Sequence, residues 1–424
     1  MRRLFCLLLV LPLVMWGGVP EAQAQETQDF IVVFANQMPA DFEDAALELG
    51  FVLVDYFEEV AVAVVRGDPG NLKHLKRLSG VQHAGPQSIF AAPQAMDLKV
   101  LEEDELEGLA GPGDIWMIYG WDIKRVTGNG ATYAWQTGNH DVVVGIIDTG
   151  IDFSHPDLAA NIVPGSKTFV PGTTDAWDEH GHGTHVAGTI AANGRFIGVA
   201  PNTGIRAYRV FGAEGGAASG WIIAALIAAA DDGVDVINMS LGGYRLLTNN
   251  DHVADTVAYM RAIRYAVNSG AVVVVSAGNN AWSLTNPNQL AREFGIKNGA
   301  VVNVPGGLPG TITVSATDVN DKLSSYSNYG QGVIDVTAPG GDFGPSIFYY
   351  CVSTYPGGWY AGMIGTSMSA PKVSGIAALI RAEYGDIPAA QVVNMIKNNT
   401  DKLDGNGYSR YFGWGMVNAY NLIH

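Results

Sequence analysis

From Asp141 onward the chain repeats one pattern: an uninterrupted apolar run, a glycine-rich turn, then a stretch with helical spacing. Val142-Val143-Val144-Gly145-Ile146-Ile147 is the first such run. A half-exposed strand alternates apolar and polar residues, whereas a run with no polar break fits a strand covered on both faces. Residues 205–211, 234–241, 271–276 and 311–316 repeat it. Helices are expected at 185–192, 221–231, 252–268 and 367–383, with an amphipathic one closing the chain at 388–398. This alternation predicts an α/β domain, a doubly wound, mainly parallel sheet with helices on both faces, binding its ligands at the carboxyl ends of the strands. A hydrophobic content of 48% in 424 residues is ample for such a core.

What precedes this domain divides into three. Residues 1–24 have the parts of a secretory signal: Arg2-Arg3, an apolar run from 4 to 16, and Ala22-Gln23-Ala24 as a small-x-small cleavage site. The run is short for a membrane span, and no other stretch reaches the ~18 apolar residues a span needs. Export to the extracellular or cell-envelope space is therefore expected, with no membrane anchor. Two arginines are ordinary in such a signal and do not choose between the general and the twin-arginine route. Residues 25–93 read as a small unit, with strands at 29–34, 56–65 and 80–82 and helices at 40–49 and 72–78. That approximates, one strand short, the β-α-β-β-α-β order of a ferredoxin-like α+β fold, and its place between a signal and a larger domain suggests a pro-segment. Residues 94–118 read as an acidic, then small and flexible, linker that a protease could cut. Residues 119–424 form the large domain.

The net charge of −17 argues against nucleic acid or an anionic membrane as partner. Of the two cysteines, Cys6 lies in the leader, so Cys351 has no internal partner and reads as a buried apolar residue.

Four residues sit where this architecture would place a site. Asp148 ends the first strand. His182 lies in Asp178-Glu179-His180-Gly181-His182-Gly183-Thr184-His185, a glycine turn opening a helix. Asn279 follows a strand directly. Ser367 lies in Gly365-Thr366-Ser367-Met368-Ser369-Ala370-Pro371, at the first turn of a small-residue helix where free amides and the dipole favour an anion. A carboxylate can fix a histidine's tautomer, the histidine can take a serine proton, and an amide can donate to an oxyanion. Each also has an ordinary reading: strand-end turn, N-cap, or core histidine. Zinc bound by His180, His182 and His185 is disfavoured, because a catalytic pair stands four apart on a helix and Gly181 and Gly183 interrupt one here. His185 is expected to pack against its own helix.

These blocks, with Ile237-Asn238-Met239-Ser240-Leu241-Gly242-Gly243 and Ser276-Ala277-Gly278-Asn279, resemble those of subtilisin-like serine proteases, in the family's order Asp, His, Ser. The resemblance runs from Tyr119 to His424, and residues 28–93 are similar, less specifically, to the family's inhibitor-type propeptide. It implies Asp148 as orienting acid, His182 as general base then acid, Ser367 as nucleophile, and Asn279 with the Ser367 amide as oxyanion hole. It further implies Ser240, Leu241 and Gly242 as one substrate-pairing edge, Gly215, Gly216 and Ala217 as the other, and Ser276, Ala277 and Gly278 as walls of the P1 pocket. The chain would be a secreted zymogen and a monomer, with polypeptides as substrates, its own propeptide as inhibitor, and no cofactor required.

Departures accompany the match. The family's tight calcium site would use Asp157 and a loop that here, at 191–201, is too short to wrap an ion. Asp157 is thus expected to be a turn residue, leaving only weak structural calcium. Extra residues at 280–309, including Trp282 and Arg292-Glu293-Phe294, could reshape the P1 pocket. Together with residues 204–212 and the insert after Gly243, they resemble the lantibiotic leader peptidase branch, which implies narrow processing specificity.

Overall fold

The computed structural model describes residues 27–213, 215–247, 252–405 and 407–423; the expected signal at 1–24 lies outside them. The large domain is organised by a seven-stranded sheet in the order Val336–Pro339, Thr311–Thr317, Val272–Ser276, Val236–Met239, Val143–Asp148, Gly204–Arg209, Lys167–Thr168. Every pairing in it is parallel. The chain leaves Val143–Asp148 to build one side of the sheet, then crosses back to build the other. The strand order therefore reverses beside Val143–Asp148, and a crevice opens at its carboxyl end, where Asp148 stands.

The unbroken apolar runs serve two cores. Val144, Ile146, Val272 and Val274 face the helices His182–Ala191, Thr366–Tyr384 and Ala389–Asn398. Ile147, Val273 and Val275 face Ser219–Asp231 and Val253–Asn268. Successive side chains of a strand point to opposite faces, so a strand buried on both sides must be apolar throughout.

The amino-terminal unit is a four-stranded antiparallel sheet in the order Val52–Phe57, Val62–Gly67, Gln28–Phe34, Val81–Pro86. The single strand expected at 56–65 is split in two. Glu58–Val60 forms a 3-10 turn there, closed by Ala61 at φ 52°. Phe30, Val32 and Phe34 turn inward to the unit's own helices, whereas Ile31, Val33, Val62 and Val64 join the core around Ser219–Asp231 and Val253–Asn268. One face of this small sheet is thus completed by the large domain.

Residues 94–118 are not a free joint. Asp97–Val100 is a strand pairing antiparallel with Trp359–Ile364, the strand that leads into Ser367. Leu101 is fully buried, Leu106 and Leu109 pack on the main core, and Asp114–Tyr119 is helical. Leucines spaced among the acidic residues anchor the segment; composition alone hides them.

Candidate active site

His182 Nδ1 lies 2.7 Å from Asp148 Oδ1, with both side chains almost wholly buried. Asp148 is held in turn by the backbone N–H of Thr149, which donates to the same oxygen at 2.8 Å. The helix that carries His182 starts where it does because of Asp178. This buried carboxylate accepts from the N–H groups of His180, Gly181 and Thr184 and from the hydroxyls of Thr149 and Thr184. Thr149 Oγ1 then accepts from Gly183 N–H at 2.9 Å, tying the strand end to the first helical turn. A side chain at Gly183 would meet the Gly150 carbonyl at 2.1 Å, so glycine is required by this close approach.

Ser367 lies in the first turn of Thr366–Tyr384, and the preceding Gly365 has φ 155° and ψ 158°, a conformation suited to glycine. Pro371 has no N–H to offer the Ser367 carbonyl four residues back. That carbonyl instead accepts from Ser240 Oγ at 2.9 Å. Asn238 Nδ2 donates to Ser240 Oγ, and Ser374 Oγ donates to Asn238 Oδ1. The turn that carries Ser367 is thereby strapped to the end of the adjacent strand. Ser367 Oγ itself donates to the Ser240 carbonyl at 3.2 Å, and not to His182. His182 Nε2 is buried without a partner among the described residues. The two helices pack directly against each other. Hydrogen bonds between side chains that act together are often unformed until substrate is bound.

Asn279 is aimed by Thr366, whose N–H and hydroxyl donate to Asn279 Oδ1 at 2.9 and 2.7 Å. With its oxygen so held, Asn279 stands in the wall of the cleft. The cleft is a cavity of about 410 Å³, and Ser240, Leu241, Gly242, Ser276, Gly278, Asn279 and Ser367 all line it. Ala277 stands behind the wall, fully buried, its carbonyl accepting from Asn303 and Asn328. Across the cleft the pairing edge is Ala217–Ala218, one residue beyond Gly215 and Gly216; it binds the chain's own Ile89–Phe90. Gly216 lies against that segment, since a Cβ there would sit 2.6 Å from the Ile89 side chain.

The same cavity is lined on its open side by Ala91, Ala92, Pro93, Gln94 and Met96. This stretch is pinned at both ends, by Ile89–Phe90 on Ala217–Ala218 and by Met96 N–H donating to the Ile364 carbonyl at 2.8 Å. The chain therefore threads its own cleft.

Residues 139–415 match the model of the peptidase S8, or subtilase, family. The chain is a subtilase. It is 33% identical over 404 residues to a thermophilic serine proteinase of Bacillus sp. (strain AK1), covering 93% of this chain and 87% of that protein. It is 36% identical to the nisin leader peptide-processing serine protease NisP of Lactococcus lactis subsp. lactis, over 69% of this chain and 48% of that protein. The crystal structure of the epidermin leader peptide processing serine protease of Staphylococcus aureus matches with a TM-score of 0.81 at 27% identity, covering 94% and 98% of the two chains. As a subtilase this is a serine-type endopeptidase that acts on polypeptides.

Two readings of single residues need correcting in this subtilase. Asp157 is more than a turn residue: it is buried and accepts from Arg195 N–H (3.0 Å), Phe196 N–H (2.8 Å) and Tyr360 Oη–H (2.8 Å). Its oxygens meet donors, which is the opposite of a calcium cage built from acceptors, so this carboxylate does not fit that ion. His185 does not rest on its own helix. Its Nε2 lies 3.1 Å from the carbonyls of both Cys351 and Ala361 on the two strands before Ser367, and burial pushes its pKa down to about 3. Carbonyls accept only, so that nitrogen carries the proton. Among the described residues no three metal-ligating side chains converge.

Asp178 and Thr366 are the residues that motif reading missed. Both are visible in the quoted blocks, but their partners lie 29 and 87 residues away.

Proposed function

We propose that this chain is a secreted endopeptidase made as a zymogen, with Asp148, His182 and Ser367 as its catalytic triad. Ser367 Oγ attacks the peptide carbonyl carbon while His182 Nε2 takes the hydroxyl proton. The oxyanion accepts from Asn279 Nδ2 and the Ser367 N–H, and the same proton passes to the leaving amine as the C–N bond breaks. Water then releases the acyl group by the reverse sequence. Asp148 holds Nδ1–H and stabilises the imidazolium. The observation that carries the zymogen reading is the strand-paired segment 89–96 lying across the cleft. Substrate would add to the same edges, by strand addition. The secretory part of the proposal rests on the signal-like residues 1–24.

A narrow processing role is the second reading. It is favoured by the similarity over almost the full length to an epidermin leader peptide processing protease. It is also favoured by an aromatic cluster in which Trp282 and Phe294, from the residues after Asn279, pack on the cleft residue Tyr244 with ring centroids 5.0–5.4 Å apart.

Ser367→Ala tests the first reading: it should accumulate as uncut precursor, hydrolyse no peptide and escape a fluorophosphonate probe that labels the wild type. Complete maturation of that variant in isolation would exclude self-processing, and a wild type that the probe cannot label would leave a silent binding fold instead. A peptide library separates the two substrate ranges, because one strongly preferred P1 residue marks a processing enzyme.

A further inference from the structure

Away from the cleft, one side chain gathers the amino-terminal unit from three directions. Arg261, in the middle of helix Val253–Asn268, donates through Nη1 to the carbonyls of Phe34 (2.8 Å) and Val60 (3.1 Å) and, at 3.4 Å, to that of Ala61. Its Nη2 donates to Gln82 Oε1 at 2.9 Å. Phe34 ends the first strand of the unit, Val60 and Ala61 make the turn between the second and third, and Gln82 belongs to the fourth. These acceptors are remote in sequence and meet only when the small sheet is folded. Among the described residues no carboxylate forms an ion pair with Arg261; burial and the neighbouring Arg264 hold its pKa below the ordinary arginine value. Its charge is answered by three main-chain carbonyls and the Gln82 side-chain amide oxygen. A guanidinium is a rigid planar fork of donors, suited to a fixed set of acceptors in a way a flexible ammonium is not. Around it the contact is apolar, from Ile31, Val33, Val62 and Val64.

We propose that Arg261 is a latch by which the catalytic domain recognises the folded amino-terminal unit, so that the unit stays seated only while its own sheet is intact. The proposal rests on reading residues 28–93 as an inhibitor. Because the acceptors come from three places in one fold, local opening of the unit loses several of these bonds together. After the chain is cut, release then follows the stability of the small sheet as well as its hold on the cleft.

The test uses the full-length chain. Cleavage is followed on gels while activity is followed with a small chromogenic peptide. The wild type should be cut well before it becomes active. Arg261→Ala should be cut but become active about 30-fold sooner afterwards, the effect of truncating an interface hot spot, and Arg261→Lys should fall between. An equal delay in all three overturns the latch. A wild type that is active the moment it is cut overturns the inhibitor reading itself. Should Arg261→Ala fail to fold, hydrogen exchange of the uncut Ser367→Ala chain, with and without Arg261→Lys, decides the matter. Amides of Gln28–Phe34 and Val62–Gly67 should then exchange about tenfold faster, while those of Val272–Ser276 do not change. Unchanged exchange in the unit overturns the latch.

Discussion

At the residue scale, the chemistry proposed for Ser367 depends on the side chain beside it, which serves to aim another. Thr366 fixes Asn279 by two hydrogen bonds to its oxygen, and its hydroxyl also accepts from Gly278 N–H at 3.1 Å. Losing the Asn279 amide altogether, as in Asn279→Ala, should lower kcat by ~10²–10³, the size found for an oxyanion donor in subtilases, with KM little changed. Thr366→Val keeps shape and backbone but removes the hydroxyl, so Asn279 Oδ1 keeps one donor of two. We expect kcat to fall about tenfold with KM unchanged, measured on a single peptide substrate. An unchanged kcat would mean that the backbone N–H alone aims the amide. Asp148, His182, Asn279 and Ser367 could be proposed from sequence because each stands at or just after a strand end or in the first turn of a helix. Thr366 and Asp178 could not. Each ties in a segment far away in the chain, Asp178 besides capping its own helix, and a motif records residue types without recording which partner they meet.

At the scale of elements, the strand–helix alternation was readable because two-sided burial forces apolar runs. The expected runs at 271–276 and 311–316 correspond to Val272–Ser276 and Thr311–Thr317. Less legible were the short pieces, among them Trp121–Val126 and Asp97–Val100, whose few residues carry no period. Trp121–Val126 nonetheless carries a strong tie. Asp122 Oδ2 lies 2.7 Å from Lys372 Nζ on the serine helix, both completely buried, and Lys372 Nζ also donates to the Met368 carbonyl at 2.9 Å. In the sequence Lys372 stands within an otherwise small and apolar stretch, where a charge looks out of place; its partner lies some 250 residues earlier. Breaking such a pair leaves one buried charge unanswered. Asp122→Asn should therefore destabilise the chain by about 3–5 kcal/mol, read from denaturant midpoints in a Ser367→Ala background that prevents self-digestion. The double variant Asp122→Leu with Lys372→Met should recover most of that loss, since no charge then remains to be buried. If the double variant is as unstable as the single one, the pair has a role in holding the serine turn that goes beyond charge balance.

At the scale of the whole molecule, the strand pair Cys351–Tyr355 and Trp359–Ile364 packs on the core that holds the helices His182–Ala191 and Thr366–Tyr384 and leads on to the turn carrying Ser367. His185 stands at this junction, joining its own helix to both strands by one ring nitrogen. Its ring is held neutral by burial, with the nearby His182 and Lys372 acting in the same direction. The consequence for acid stability has a definite sign. In the unfolded chain an ordinary histidine takes its proton near pH 6.5, whereas folded His185 resists until about pH 3. Between those values the unfolded state binds the extra proton, so its stability contribution is complete above about pH 6.5, declines as pH falls, and is gone near pH 3. The limiting slope for one such group is about 1.4 kcal/mol per pH unit. Carboxylates that lose their bonds in acid act in the same direction, so the slope of the wild type alone cannot isolate the histidine. The difference between two chains can. In the Ser367→Ala background, His185→Gln keeps an N–H for the two carbonyls but cannot titrate, and between pH 6.5 and 4 its unfolding free energy should fall less steeply than that of its parent. Urea unfolding at four pH values across that range measures the two slopes. Parallel lines would mean that His185 is protonated in the folded chain as readily as in the unfolded one, and that the junction between the strand pair and the core tolerates a charge.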